Sequence, residues 1–180
     1  MSKTSLKKLL STLTHDQIME VVIELYEARK EAREYLEYFI NPDEDAMAEK
    51  TKATISKEFS PVRGKAKARP SVCRRAIKDF TLLHPSPRLI AEVRFHYLEE
   101  IIRYAVSLRW WIKEPLEKAL HNMLSDTLEY CFSNDIIDDM CPRITGIVKT
   151  LEGCRAYAAK EAIEIYRHFC DEKNISPIPK

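Results

Sequence analysis

An all-α fold is expected of this chain on three observations. Its 180 residues contain only three glycines, Gly64, Gly146 and Gly153. Its nine prolines fall between apolar stretches rather than within them. Those stretches repeat every three or four residues, which is the spacing of one helix face. Glycine and proline are the residues that a helix interior tolerates least. The pattern therefore reads as about eight helices with no convincing strand, in an antiparallel helical array that is either an irregular bundle or a set of stacked hairpins. No repeat of solenoid length is visible.

A short first helix carries Leu6, Leu9, Leu10 and Leu13. Thr14 with Gln17 has the spacing of a capping box and opens a second helix. Its stripe of Ile18, Val21, Val22, Leu25, Ala28, Ala32, Leu36 and Phe39 lies opposite Glu20, Glu24, Glu27, Glu31 and Glu34. Running on to about Ile40, it would span roughly 39 Å. Asn41 caps a third helix, followed by Pro42 and the acids Asp43 and Glu44, which suit a positive dipole end. That helix ends near Phe59. Residues 60–69 mix proline, glycine, small and basic residues and form a loop or linker inside one domain of 1–180. Pro70 opens a helix with Val72, Ala76, Ile77, Phe80 and Leu83 inward. After the break at His84 to Pro87, where Ser86 can cap, a helix runs to about Trp111. Its inward residues include Ile90, Val93, Tyr97, Ile101 and Leu108, with Glu92, His96, Glu99, Glu100 and Arg103 on the polar side. Pro115 starts another, burying Leu116, Leu120, Met123, Leu124, Leu128 and Cys131. A shorter helix follows, broken near Pro142 and ending at Gly153. The last runs to about Lys173 before a frayed tail, Ser176 to Lys180.

One domain of this length buries enough surface to need no disulfide or metal. The 29 basic and 28 acidic side chains nearly balance, so any electrostatic role is regional. Five cysteines, Cys73, Cys131, Cys141, Cys154 and Cys170, lack zinc or disulfide spacing and suit a reducing cytoplasm. Asp16 and Glu20 interrupt any signal-peptide core, and no apolar run approaches ~18 residues, so neither export nor a membrane is expected.

Several segments resemble a bacterial family catalogued only as a domain of unknown function. They are Leu6-Lys7-Lys8-Leu9-Leu10, Glu24 to Glu31, Tyr35 to Pro42, Gly64-Lys65, Ser71 to Phe80 and Glu164-Ile165-Tyr166. The resemblance is strongest before Ile90. It implies a cytoplasmic, mostly helical protein and transfers no catalytic residue.

Between Pro61 and Lys78 stand seven basic residues, Arg63, Lys65, Lys67, Arg69, Arg74, Arg75 and Lys78, and no acid. Such a segment ahead of a helix N-terminus can grip a phosphate backbone. Seven phosphate contacts on duplex DNA would give a log–log salt slope of about −6. The plainer alternative is a solvated loop whose charges answer the glutamates of the second helix. An acidic protein partner is a further option.

Glu92 with His96, Glu117 with His121 and Glu164 with His168 share a four-residue step that could supply metal ligands. Helical di-iron sites use a three-residue step, so exposed helix-stabilising pairs are expected instead. Trp110 and Trp111 are adjacent, and successive helical side chains diverge by roughly 100°. One enters the core while the other covers the helix end or anchors a partner. Asp135, Asp138 and Asp139 lack the glycine and closing glutamate of a calcium loop and are read as capping. Cys73 has basic neighbours, Arg74 and Lys78, that could activate it. Phosphate-loop, dinucleotide and nucleophile-elbow motifs are all absent. The expectation is a non-enzymatic cytoplasmic interaction protein without cofactor or metal, its partner another protein or itself. Nucleic acid or another polyanion, bound through Arg63 to Lys78, is the alternative, and an enzyme comes third.

Overall fold

Nine α-helices and no strand occur among the described residues, 2–176, of the computed structural model. The tail expected from Ser176 to Lys180 lies, from 177 on, outside them. The ninth helix arises because the long second helix is two. α2 (His15–Ala28) and α3 (Lys30–Ile40) meet at Arg29, whose φ of −131° and ψ of 117° are extended. Tyr26 Oη donates to Glu37 Oε1 at 3.0 Å and Arg33 lies 5.1 Å from the Tyr26 ring centroid. Eleven residues of straight helix would separate Tyr26 and Glu37 by roughly 16 Å, so the contact requires the turn. No glycine or proline marks it.

The chain packs as two compact units, Met1–Asp43 and Glu44–Lys180. In the first, α1 (Lys3–Leu10) precedes the α2–α3 hairpin. The capping box is present as expected: Thr14 Oγ1 accepts from Gln17 N–H at 3.3 Å and Gln17 Oε1 accepts from Thr14 N–H at 2.9 Å.

The second unit contains α4 (Glu44–Phe59), α5 (Pro70–Thr81), α6 (Pro87–Ser107), α7 (Glu114–Ser133), α8 (Ile137–Glu152) and α9 (Tyr157–Lys173). Pro70 and Pro87 occupy first-turn positions, where a missing N–H costs nothing. Ser86 makes no side-chain cap; its N–H donates to Glu44 Oε2 at 2.9 Å. α6 is the axis of the unit, packing against α4, α5, α7 and α8. That explains why its expected polar side is not solvated: Glu92, His96 and Glu99 are half-buried and Glu100 is buried. Phe95, Tyr97, Leu98 and Ile101 fill the centre with Ile55, Cys73, Leu120 and Leu128.

Pro142 does not break a helix. It lies inside α8, whose first turn carries Asp138 and Asp139, while Met140, Ile144 and Ile147 bury the opposite side. Packing of that apolar face against α6, α7 and α9 outweighs one lost backbone hydrogen bond.

Helix ends use an unexpected device. α6 stops at Ser107, short of Trp111, because Arg109 enters the left-handed region at φ 51°. Arg109 N–H donates to Val106 O at 2.9 Å and Trp110 N–H to Ala105 O at 2.6 Å, the paired bonds of a Schellman motif. Asp135 (φ 56°) after α7 and Asn174 (φ 54°) after α9 close their helices by the same pair of bonds. These positions usually belong to glycine.

Candidate functional site

The basic segment is organised by one acid just outside it. Glu58 is 7% exposed in the last turn of α4. Its carbonyl accepts the N–H groups of Lys67 at 3.0 Å and Ala68 at 2.9 Å. Its carboxylate accepts Arg69 N–H at 3.3 Å, Arg69 Nε at 2.9 Å and Arg69 Nη2 at 2.7 Å. The guanidinium fork matches a carboxylate geometrically, so the loop is fastened at the entrance of α5. The Arg69 hydrogen bonds hold the Glu58 carboxyl below its ordinary range, against the opposing effect of burial.

Arg69 is therefore committed within the fold. Arg75 faces Asp79 at 3.6 Å, an exposed pair worth at most about 1 kcal/mol. Arg63, Lys65, Lys67, Arg74 and Lys78 are exposed and form no ion pair among the described residues. Cys73, by contrast, is fully buried and its thiol is pushed up to about 12, mainly by burial. Activation by Arg74 and Lys78 is thereby overturned, because both side chains are exposed while the thiol faces the core.

The tryptophans separate at the α6 Schellman turn. Trp110, at φ 64°, packs against the core and its Nε1–H donates to Cys154 Sγ at 3.2 Å. Trp111 is 85% exposed.

The Glu–His pairs do not behave as exposed intrahelical pairs. His121 Nε2 lies 2.9 Å from Ala158 O and Nδ1 3.6 Å from Glu161 on α9. Glu164 pairs instead with Arg167 at 2.7 Å. His96 Nε2 lies 2.8 Å from Ser56 Oγ, and Ser56 donates to Glu100 Oε1 at 3.0 Å. With the serine proton given to Glu100, His96 Nε2 must carry its own hydrogen to reach Oγ. An activated serine needs the reverse polarity, with the acid on the far ring nitrogen. Glu100 Oε1 also accepts from Arg103 Nη1 at 2.9 Å. Among the described residues, Glu100 Oε2 and the Tyr97 hydroxyl are buried without a partner. Sequence reading missed this network because it joins α4 to α6 across about forty residues and has no local signature.

A groove of about 610 Å³ between α6 and α8 has Ile102, Val106, Pro142 and Ile147 in its walls. Its charged rim is spoken for, since Arg143 holds Glu99 at 2.6 Å and Arg103 holds Glu100.

The first unit contrasts with all of this. None of its described residues is buried. α2 is apolar around most of its circumference, through Ile18, Met19, Val21, Val22, Ile23, Leu25 and Tyr26. Leu6 and Leu9 on α1, and Tyr35, Phe39 and Ile40 on α3, are exposed as well.

The fold defines an all-helical protein in which no helix among the described residues is long and apolar enough to cross a membrane. Among the same residues no group of three His, Cys, Asp or Glu is placed to hold a metal ion. The family of unknown function DUF6155 matches residues 1–170, and the chain belongs to it. No curated protein and no solved structure matches the chain.

Proposed function

We propose that this protein is a non-enzymatic interaction module that binds a protein partner through the apolar faces of α1 and the α2–α3 hairpin. Its proposed place is the bacterial cytoplasm, on the strength of the sequence resemblance and of five cysteines without a disulfide. The carrying observation is that α2 is apolar on most sides while nothing on it is buried. An amphipathic helix ordinarily buries its apolar face, and helices this short are marginal in water without tertiary packing. A unit of about 40 residues with no core gains its stability from what it binds. Trp111, on the second unit, offers an additional anchor of the kind enriched in binding hot spots.

The test is affinity purification of the tagged full chain from its source cell, beside a Val22→Glu/Leu25→Glu variant that retains its helicity. A stoichiometric companion, either another protein or the untagged chain, is expected with the wild type and lost with the variant. No companion, or equal capture by both, overturns the reading.

A second reading has its own observation. Five unpaired cations, Arg63, Lys65, Lys67, Arg74 and Lys78, surround a loop anchored by Glu58, which suits a nucleic acid or other polyanion. Retention on heparin at low salt, abolished by changing these five residues to Ala, supports it; no retention of the wild type removes it.

A further inference from the structure

We infer that the partner of α2 is the α1 helix of a second copy of this chain, the two copies exchanging α1 reciprocally. The inference rests on the interaction reading above and names its occupant.

Charge is the first ground. α1 carries Lys3, Lys7 and Lys8 and no acid, whereas α2 carries Asp16, Glu20, Glu24 and Glu27 and neither lysine nor arginine. None of the three lysines and none of Glu20, Glu24 and Glu27 forms an ion pair among the described residues. Two α2 helices laid together would oppose like charges, while α1 on α2 opposes unlike ones.

Register is the second. Lys3 and Lys7 are four residues apart, as are Glu20 and Glu24, so both rows advance by roughly 6 Å along one helix side. Leu6 and Leu9 beside the lysines match Val21, Val22 and Leu25 beside the glutamates, and all five are exposed. Within one chain α1 and α2, joined by the short connection Ser11 to Thr14, share at most a marginal contact among the described residues. A second copy can supply what the chain's own geometry withholds.

Area is the third. Seven large apolar residues of α1 and α2 are 40–56% exposed. At the ~100 Å² per side chain implied by ~25 cal/mol/Å², they offer roughly 350 Å² of apolar surface per copy, or about 700 Å² over the two reciprocal contacts. With a little over half of an interface apolar, that corresponds to about 1,200 Å² in all, the lower end of specific interfaces.

The experiment is sedimentation equilibrium on the full chain and two charge-reversed forms, Lys3→Glu/Lys7→Glu/Lys8→Glu and Glu20→Lys/Glu24→Lys/Glu27→Lys. The wild type is expected at twice the chain mass. Each variant alone opposes like charges, and its dimer dissociation constant rises by about tenfold or more. An equimolar mixture of the two restores the dimer, because each α1 then meets an α2 of opposite sign. A monomeric wild type, variants that dimerise as the wild type does, or a mixture that stays monomeric overturns the inference. Should a variant lose its helicity, a salt titration of the wild type decides: added salt weakens the dimer, and a salt-insensitive dimer contradicts the exchange. A monomeric wild type that still captures a different protein through α2 leaves the interaction reading standing.

Discussion

Glu58 and His96 each tie α4 to its neighbours, and both make stability depend on pH in the same sense. Burial lowers the His96 pKa below its ordinary 6.5 despite Glu99 and Glu100 nearby. Below 6.5 the unfolded chain takes up the proton first, so stability present above that pH declines as the medium is acidified. The Glu58 carboxyl lies below its ordinary 4.5 through Arg69, so its contribution is present above 4.5 and lost as pH falls through the folded value. Urea unfolding from neutral to acid pH should therefore show two declines. His96→Gln removes the upper one and Glu58→Gln diminishes the lower. Arg69→Ala, which strips the two guanidinium bonds from a buried carboxylate while leaving the Arg69 N–H bond and the two carbonyl contacts, should cost about 1–3 kcal/mol at neutral pH. The acid was easy to pass over in the sequence, since it stands three residues before Pro61, where the acid-free stretch begins.

At the scale of elements, the helix starts were legible because Thr14, Pro70 and Pro87 each act within one turn. The ends were less so. With glycine nearly absent, the left-handed positions after α6, α7 and α9 fall to Arg109, Asp135 and Asn174, and nothing about an arginine advertises a helix stop. For the same reason glycine is misplaced as well as scarce. Gly146 sits within α8, where an added Cβ meets nothing within 4 Å. Arg109→Gly should stabilise by about 1 kcal/mol by relieving a left-handed side chain. Gly146→Ala should add a similar amount through helix propensity. Together they should raise the thermal midpoint by roughly 4–8 °C. Gly64, at φ 86°, is where glycine is required, and Gly64→Ala should lower the midpoint.

The balance of charge across the whole molecule conceals its segregation. Lysine gathers on α1, glutamate on α2, and five unpaired cations around the loop that Glu58 fastens. That last count sharpens the polyanion reading. With Arg69 committed to Glu58 and Arg75 facing Asp79, five contacts rather than seven remain for duplex DNA. The salt slope should then be about −4.5 instead of −6, as read from binding isotherms at several salt concentrations.

The sequence by itself determined that this chain is helical, where most of its helices begin, and which residues carry its concentrated charge. Those properties depend on backbone propensity and on neighbours within about one turn. Only the tertiary structure decided that a long second helix folds back at Arg29, that α8 continues through Pro142, that the polar side of α6 is enclosed, and that no described residue of α2 is buried. Each of these depends on which surface meets which across the chain, and periodicity along one helix carries no record of what lies opposite its face.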